Sequence, residues 1–521
     1  MSGSSAAGDA AEYDPVVSAN CDPICCEVVV SAFSPEQVAR RLGEWRDEGG
    51  PLYEALASAV ARAIEEGVLP PGGQLPAERR LAGELHVSRG TVVAAYEELR
   101  GRGLVETRHG SGTVVRAGGS PVSGPREAYV ASSLAGDGLF RGAVAREDDV
   151  LDLYGAYWFG TEALDEDAVA RATSRVLAAG ADHGYHVLGL PALRAAIAGW
   201  LTDRGLDTRP SQVMVTTGAQ QAISLAAQLY VGAGDRVVVE EPTFAGAVDA
   251  MRAQQATVLR VPVGANGADV AALGEILARE SPRLVYLIPS VHNPTGGVMP
   301  RLARQRVAEL VADADAVVLD DATLLETQRH GAIVPPIAAF ADASTQRRLV
   351  TVGSFSKPLW GGLRVGWVRA EPPTLARLAR LKAIADVGTP LLSQAIVAEL
   401  LEDADERFGM RREGLGARHD VLVERLARDL PEWRWDEPLG GLCLWVDLAG
   451  QDAEAFVPVA ERHGVGLAPP GVSSASTRYP SHLRVPFGQP PEVLHEAVDR
   501  LAAAWEAYRH EPTGERRRVL V

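Results

Sequence analysis

The chain has 521 residues, 46% hydrophobic content and a net charge of −17. That length suggests about three domains rather than one, and the apolar content is that of a globular protein with an ample core. No stretch approaches the roughly eighteen uninterrupted apolar residues of a transmembrane helix. The opening MSGSSAAGDAAEYD has no basic segment followed by an apolar one, so no secretory leader is expected and the cytoplasm is the expected compartment. The four cysteines, Cys21, Cys25, Cys26 and Cys443, are too few for a disulfide scaffold. The three that cluster near the N-terminus have no histidine beside them, and they are read as free thiols, not as metal ligands.

The acidic total argues against a nucleic-acid partner until its distribution is considered. Residues 51–116 hold eight Arg and eight Glu, so this segment is neutral and the acidity lies elsewhere.

Residues 1–37 read as a mobile tail, Ser/Ala/Gly-rich at first, with a short helix plausible over 35–46. After Pro51 the pattern sharpens. Leu52, Leu56, Ala59, Val60, Ala63 and Ile64 recur at helical spacing and make one apolar stripe. The run Pro70-Pro71-Gly72-Gly73 stops that helix. A second helix is predicted over 77–85. Ser88 is placed to cap a third, with Val92, Val93, Tyr96 and Leu99 on its buried side. Short strands over 104–107 and 113–116 flank the turn His109-Gly110-Ser111-Gly112. Helix, helix, turn, helix and hairpin make a winged helix-turn-helix domain over 38–116.

Residues 117–148, with Gly118-Gly119-Ser120-Pro121 and Gly124-Pro125, read as a semi-flexible linker. From 149 to 509 helical segments alternate with short Val/Leu/Ile-rich ones over 212–216, 236–239, 283–288, 316–319 and 349–352. The expected fold is α/β with a mostly parallel sheet. Residues 510–521 read as a C-terminal tail.

Two lysines, Lys357 and Lys382, stand among 51 basic residues. Arginine serves nearly everywhere a positive charge is wanted, so a retained lysine suggests work that arginine cannot do. A lysine amine can lose its proton and condense with an aldehyde; a guanidinium cannot. Lys357 lies in Gly353-Ser354-Phe355-Ser356-Lys357-Pro358-Leu359-Trp360-Gly361-Gly362-Leu363-Arg364, where hydroxyls and a planar guanidinium suit a phosphate.

That segment resembles the lysine signature of fold-type I pyridoxal phosphate (PLP) enzymes. The resemblance implies PLP held as an aldimine on Lys357, with Ser354, Ser356 and Arg364 on its phosphate. Further segments resemble the same family in the same order. Thr217-Gly218-Ala219-Gln220 would place Ala219 and Gln220 at the phosphate. Phe244 would stack on the ring, and Asn293 of Asn293-Pro294-Thr295-Gly296 would bind its phenolic oxygen. Asp320, in Val317-Val318-Leu319-Asp320-Asp321, would hold the ring nitrogen protonated. A tyrosine expected two or three residues after that aspartate is replaced by Ala322 and Thr323, which implies weaker turnover. Tyr185 would reach a neighbouring subunit's cofactor phosphate, and Arg484 would grip a substrate carboxylate.

Residues 51–115, with LPAERRLA, VSRGTVVAAYEEL and the GSGT wing, resemble GntR-family DNA-binding domains. The resemblance points to Arg79, Arg80, Ser88, Arg89, Thr91, Arg108, Gly110 and Gly112 as DNA contacts. The two halves together resemble MocR/GabR-type regulators over roughly 38–509. This implies a head-to-tail homodimer on double-stranded operator DNA that senses an amine, an amino acid or PLP itself through aldimine chemistry. The alternative is a working aminotransferase that carries a DNA-binding head.

Overall fold

A computed structural model describes residues 34–42, 45, 51–65, 69, 74–101, 104–108, 112–115, 150–178, 180, 183–474 and 478–510. The expectations for residues 1–33, Gly110, the linker 117–148, residues 511–521 and the cysteines Cys21, Cys25 and Cys26 fall outside them. The chain divides into two compact units between Gly124 and Pro125, inside the stretch read as a linker.

The first unit starts with α1 (Pro35–Leu42), which begins within the stretch expected to be a tail. Val38 and Leu42 join the core of this unit, so burial of their side chains accounts for an ordered helix there. Then come α2 (Leu52–Glu65), α3 (Glu78–Glu84) and α4 (Arg89–Gly101), followed by the antiparallel hairpin β1 (Val105–Arg108) and β2 (Gly112–Val115). Leu56, Val60, Leu81, Val92, Tyr96 and Leu99 form the core. Leu52, expected in the stripe, is 48% exposed because it is the first residue of α2. The Tyr96 hydroxyl donates to Pro76 O (3.0 Å) and ties α4 to the segment before α3.

The second unit opens with β3 (Leu151–Leu153), α5 (Glu166–Ala178) and α6 (Pro191–Asp203). Strands and helices then alternate: β4 (Val213–Thr216), α7 (Ala219–Tyr230), β5 (Arg236–Glu241), α8 (Ala245–Ala253), β6 (Thr257–Gly264) and β7 (Gly267–Ala268). Next are α9 (Val270–Glu280), β8 (Leu284–Leu287), α10 (Arg301–Asp313), β9 (Val317–Asp321), β10 (Leu349–Ser354) and β11 (Gly366–Arg369). These strands form one eight-stranded sheet in the order β4-β11-β10-β9-β8-β5-β6-β7. Pairings from β10 through β6 are parallel; β11 and β7 run antiparallel to their neighbours.

Apolar helices cover both faces. Ile223, Val248 and Leu375 pack with Val237, Leu319 and Val350 on one. Leu273, Val307 and Val311 pack with Val238, Val285 and Val318 on the other. This is why the strands read as unbroken apolar runs without alternation.

After α11 (Pro372–Ala385), α12 (Leu391–Leu400) and α13 (Ala404–Asp429) the chain builds a smaller sheet. Strands β12 (Arg434–Trp435), β13 (Cys443–Asp447) and β15 (His482–Pro486) are antiparallel. Helix α14 (Ala453–Arg462), β14 (Val465–Leu467) and α15 (Pro491–His510) make up the rest of this part, and β14 pairs with β3 in a separate two-stranded parallel sheet. No helix of the described residues is long and apolar enough to cross a membrane.

Candidate functional site

A cavity of about 330 Å³ lies where the carboxyl ends of β8, β9 and β10 meet the start of α7. The ends of parallel strands are where such sheets bind ligands, because helices cover both faces and leave the loops to line a crevice.

One end of the cavity is a set of anion donors. Strand β10 runs out at Ser354, whose Oγ accepts from the Ser356 amide (3.1 Å) and donates to Ser356 Oγ (3.0 Å). Arg364 adopts φ +50°, a left-handed conformation that costs a non-glycine residue about 1–3 kcal/mol. Its guanidinium is held in return: Nη1 donates to Ser356 Oγ (3.4 Å) and Nη2 to Thr217 O (3.1 Å). Gly218 has φ +87°, and a Cβ there would come 2.7 Å from Arg364 Nη2. The glycine therefore allows the guanidinium to cross the start of α7. Ala219 and Gln220, the first residues of that helix, line the cavity, where unpaired amides and the helix dipole favour negative charge.

Lys357 stands between the ends. Its Nζ donates to Ala156 O (2.8 Å) and lies 4.8 Å from the centre of the Tyr157 ring. Burial, then the positive charges of Arg484 and Arg364, push its pKa down to about 8. About a tenth of this amine is thus unprotonated at pH 7, and about half at pH 8.

At the other end the carboxylate that lines the cavity is Asp321, not Asp320 as expected. Asp321 Oδ2 accepts from the Tyr286 hydroxyl (2.7 Å) and Oδ1 from the Thr323 amide (2.8 Å); burial raises its pKa. Asp320 points to the opposite face of the sheet, where Oδ2 accepts from the Ile337 amide (2.7 Å) and the buried Arg304 is the nearby positive charge. The physical reason is the strand period of two. Strand β9 extends to Asp321, so both carboxylates lie within it and face oppositely. With Val317, Val318 and Leu319 apolar on both faces, nothing in the pattern shows which carboxylate faces the cavity. Counted from Asp321, the residues two and three further on are Thr323 and Leu324, and both line the cavity. Ala322 is buried in the core. Neither count places a tyrosine there.

Phe244 and Asn293 line the cavity as expected, and so does Arg484 on β15. Arg484 is 9% exposed; Nη2 donates to Tyr154 O (2.8 Å), while Nε has no hydrogen-bond partner among the described residues. Tyr185 does not line this cavity; it is 66% exposed and its ring stacks on His183.

Sequence reasoning missed the segment Tyr154–Tyr157, whose carbonyls receive both Lys357 and Arg484. Its anchor is Trp158, whose ring lies 4.0 Å from the Arg411 guanidinium and 3.4 Å from that of Arg418. The aromatic cluster Tyr154-Gly155-Ala156-Tyr157-Trp158-Phe159 was the available signal.

In the first unit Ser88 Oγ accepts from the Thr91 amide (3.1 Å) and lies 2.9 Å from Thr91 Oγ1, so the expected cap forms. Arg79, Arg80 and Arg89 are exposed at the starts of α3 and α4. Arg108 ends β1 and Gly112 begins β2. No cluster of three or more potential metal ligands occurs among the described residues.

Residues 154–501 match the family of class I and II aminotransferases, and residues 52–115 match the gntR family of bacterial regulatory proteins. The chain is 36% identical over 320 residues to a 2-aminoadipate transaminase of Thermus thermophilus, covering 61% of this chain and 79% of that protein. It is 28% identical over 483 residues to a probable rhizopine catabolism regulatory protein, MocR, of Rhizobium meliloti, covering 89% of this chain and 95% of that protein. Among solved structures it is similar to LysN, the α-aminoadipate aminotransferase of Thermus thermophilus, complexed with N-(5'-phosphopyridoxyl)-L-leucine. The TM-score is 0.64 at 33% identity, over 70% of this chain and 93% of that one. The chain belongs to the class I and II aminotransferase family, as a fold-type I domain behind a gntR-type DNA-binding head. That union is the build of MocR/GabR-type regulators.

The cavity fits the PLP of this family. It offers hydroxyls, a guanidinium and a helix start at one end, an amine in the middle and a buried carboxylate at the other. The Arg484 Nε–H, buried without a partner, remains to be satisfied by a ligand.

Proposed function

We propose that the protein is a DNA-binding regulator whose aminotransferase-like domain reads an amino acid through PLP. Ser354, Ser356, Arg364, Ala219 and Gln220 hold the phosphate. Phe244 stacks on the ring, Asn293 binds its phenolic oxygen, and Asp321 accepts a hydrogen bond from the ring N–H and so keeps that nitrogen protonated. When bound, PLP supplies an aldehyde carbon that takes up amines and a ring that withdraws electrons while its nitrogen is protonated. Lys357 Nζ carries the cofactor and yields its place to an incoming amine.

The charged residues that line the cavity are Asp321, Lys357, Arg364 and Arg484. With the first three assigned to the cofactor, Arg484 is left for one carboxylate. The remaining wall includes Ile288, Leu324, Leu442 and Val472. The effector is therefore an amino acid with one carboxylate and an apolar side chain. On binding, its carboxylate would displace Tyr154 O from Arg484, and its amine would take the place that Lys357 Nζ holds on the cofactor. The segment Tyr154–Tyr157 would lose its Arg484 anchor while Lys357 is freed beside Ala156 O, and this couples the ligand to a change in the domain. A ligand shifts such an equilibrium only by its difference in affinity for the two arrangements.

The single observation that carries this reading is the meeting of Lys357 and Arg484 on one short backbone segment in a chain that bears a gntR-type head. Arg79, Arg80, Ser88, Arg89, Thr91, Arg108, Gly110 and Gly112 contact the DNA, and Tyr185 serves a second copy in a homodimer. The test titrates the PLP-loaded full chain with a panel of amino acids while recording the visible spectrum, operator affinity and ketoacid. Apolar monocarboxylates are expected to change the spectrum and the affinity without sustained ketoacid. Ketoacid release at an enzyme-like rate, on the order of 10 per second, with unchanged DNA affinity would make the protein an aminotransferase instead.

A further inference from the structure

The other lysine lies behind the phosphate end of the cavity. Lys382, near the end of α11, is fully buried, and its Nζ donates to both oxygens of Asp386, at 2.7 and 2.8 Å. Asp386 Oδ2 also accepts from Gln221 Nε2 (2.6 Å) and from Thr217 Oγ1 (3.2 Å). Gln221 closes the ring of contacts, because its Oε1 accepts from the Thr217 amide (2.8 Å). Thr217 in turn presents its carbonyl to Arg364 Nη2 (3.1 Å). The chain Lys382–Asp386–Gln221–Thr217 thus ends on the turn that sets the first amides of α7 and the Arg364 guanidinium.

An ion pair with a fully buried lysine and a half-buried aspartate is weak evidence of net stabilisation, since desolvating the ammonium offsets much of what the attraction returns. Holding a geometry is a better account of it. The Asp386 carboxylate takes four hydrogen bonds from three groups, and only the ammonium neutralises it. Without Lys382 the half-buried carboxylate would have no cation beside it and would grip Gln221 and Thr217 less firmly.

We propose that Lys382 and Asp386 are positioning residues for the phosphate cup. They touch no ligand. They hold Thr217 and Gln221 so that the α7 amides and Arg364 converge on one anion, and so give the site its preference for a phosphorylated pyridoxal over an unphosphorylated one. This rests on the PLP reading above and adds to it a role for the second lysine.

The test compares two ligands that share every contact except the phosphate. Full-length protein, stripped of cofactor, is titrated with PLP and with pyridoxal by quenching of tryptophan fluorescence. Wild type is expected to prefer PLP strongly. Lys382→Met is expected to weaken PLP by about tenfold, the worth of one charge-assisted hydrogen bond, and pyridoxal by less than about twofold. Gln221→Leu breaks the link without leaving a charge buried alone; it is expected to narrow the preference in the same direction by a smaller factor, and it carries the test if Lys382→Met does not fold. Loss of both ligands by an equal factor, or an unchanged ratio in both variants, overturns the proposal. Failure of wild type to bind either ligand overturns the PLP reading itself.

Discussion

The phosphate end of the cavity draws its donors from two continuous stretches, 216–220 and 354–364, where amides, hydroxyls and a guanidinium are gathered by turns. The opposite end draws Asp321 from β9, Arg484 from β15 and a carbonyl from Tyr154, and each is admitted by the direction its residue faces. A site made of backbone and its nearest side chains is a local property of a sequence. A site made of single side chains on separate strands is a property of sheet register and alternation. The first kind tolerates shifts of neighbouring elements. The second changes identity when a strand is misread by one residue, as happened with Asp320 and Asp321.

The largest expected effect lies between the two ends. Lys357→Ala is expected to abolish the visible absorption of lysine-bound cofactor altogether, while Lys382→Met at saturating PLP keeps it; a visible spectrum of each variant checks this. Next, Arg484→Ala is expected to abolish the response to carboxylate-bearing effectors and to leave PLP binding and basal DNA binding intact. Its counterpart in the other unit, Arg89→Ala, is expected to weaken DNA binding and to lower the slope of log affinity against log salt by about one, with an unchanged spectrum. Operator titrations at several salt concentrations decide that pair.

The comparison is sharpened most by the two carboxylates. Asp321→Asn is expected to weaken PLP about tenfold, the worth of one hydrogen bond to a charged group, because a neutral amide lacks the negative charge that stabilises the protonated ring nitrogen. Asp320→Asn is expected to leave PLP affinity alone and to cost about 1 kcal/mol of stability, since it changes a carboxylate that accepts from Ile337 N near Arg304. Cofactor titration and thermal melts of both variants separate the roles; the reverse pattern would return the site to Asp320.

The smallest effect is in pH. The folded pKa of Lys357, about 8, lies below the usual lysine value of 10.5. The free amine is therefore populated above about pH 8, and the rate of PLP incorporation into stripped protein is expected to rise several-fold through that pH. A midpoint near the ordinary lysine value would mean that burial and the two arginines do not act on Nζ as stated.

What the sequence determined by itself was local. The helical stripes of α2 and α4, the Ser88 cap and the hairpin were legible because they depend on residues within a few positions of one another. The Lys357 segment was legible for the same reason: Ser354, Ser356, Lys357 and Arg364 belong to one loop and need no other part of the chain to be recognised. Strand positions were nearly right, and their ends were not, because apolar residues on both faces of a buried sheet hide the alternation. Only the tertiary structure chose Asp321, brought Tyr154 to Arg484 across the length of the domain, and set Lys382 behind the phosphate cup. Those three facts depend on which face of a strand is turned inward and on which helix ends meet, and pairwise contacts of that range leave no period in the sequence.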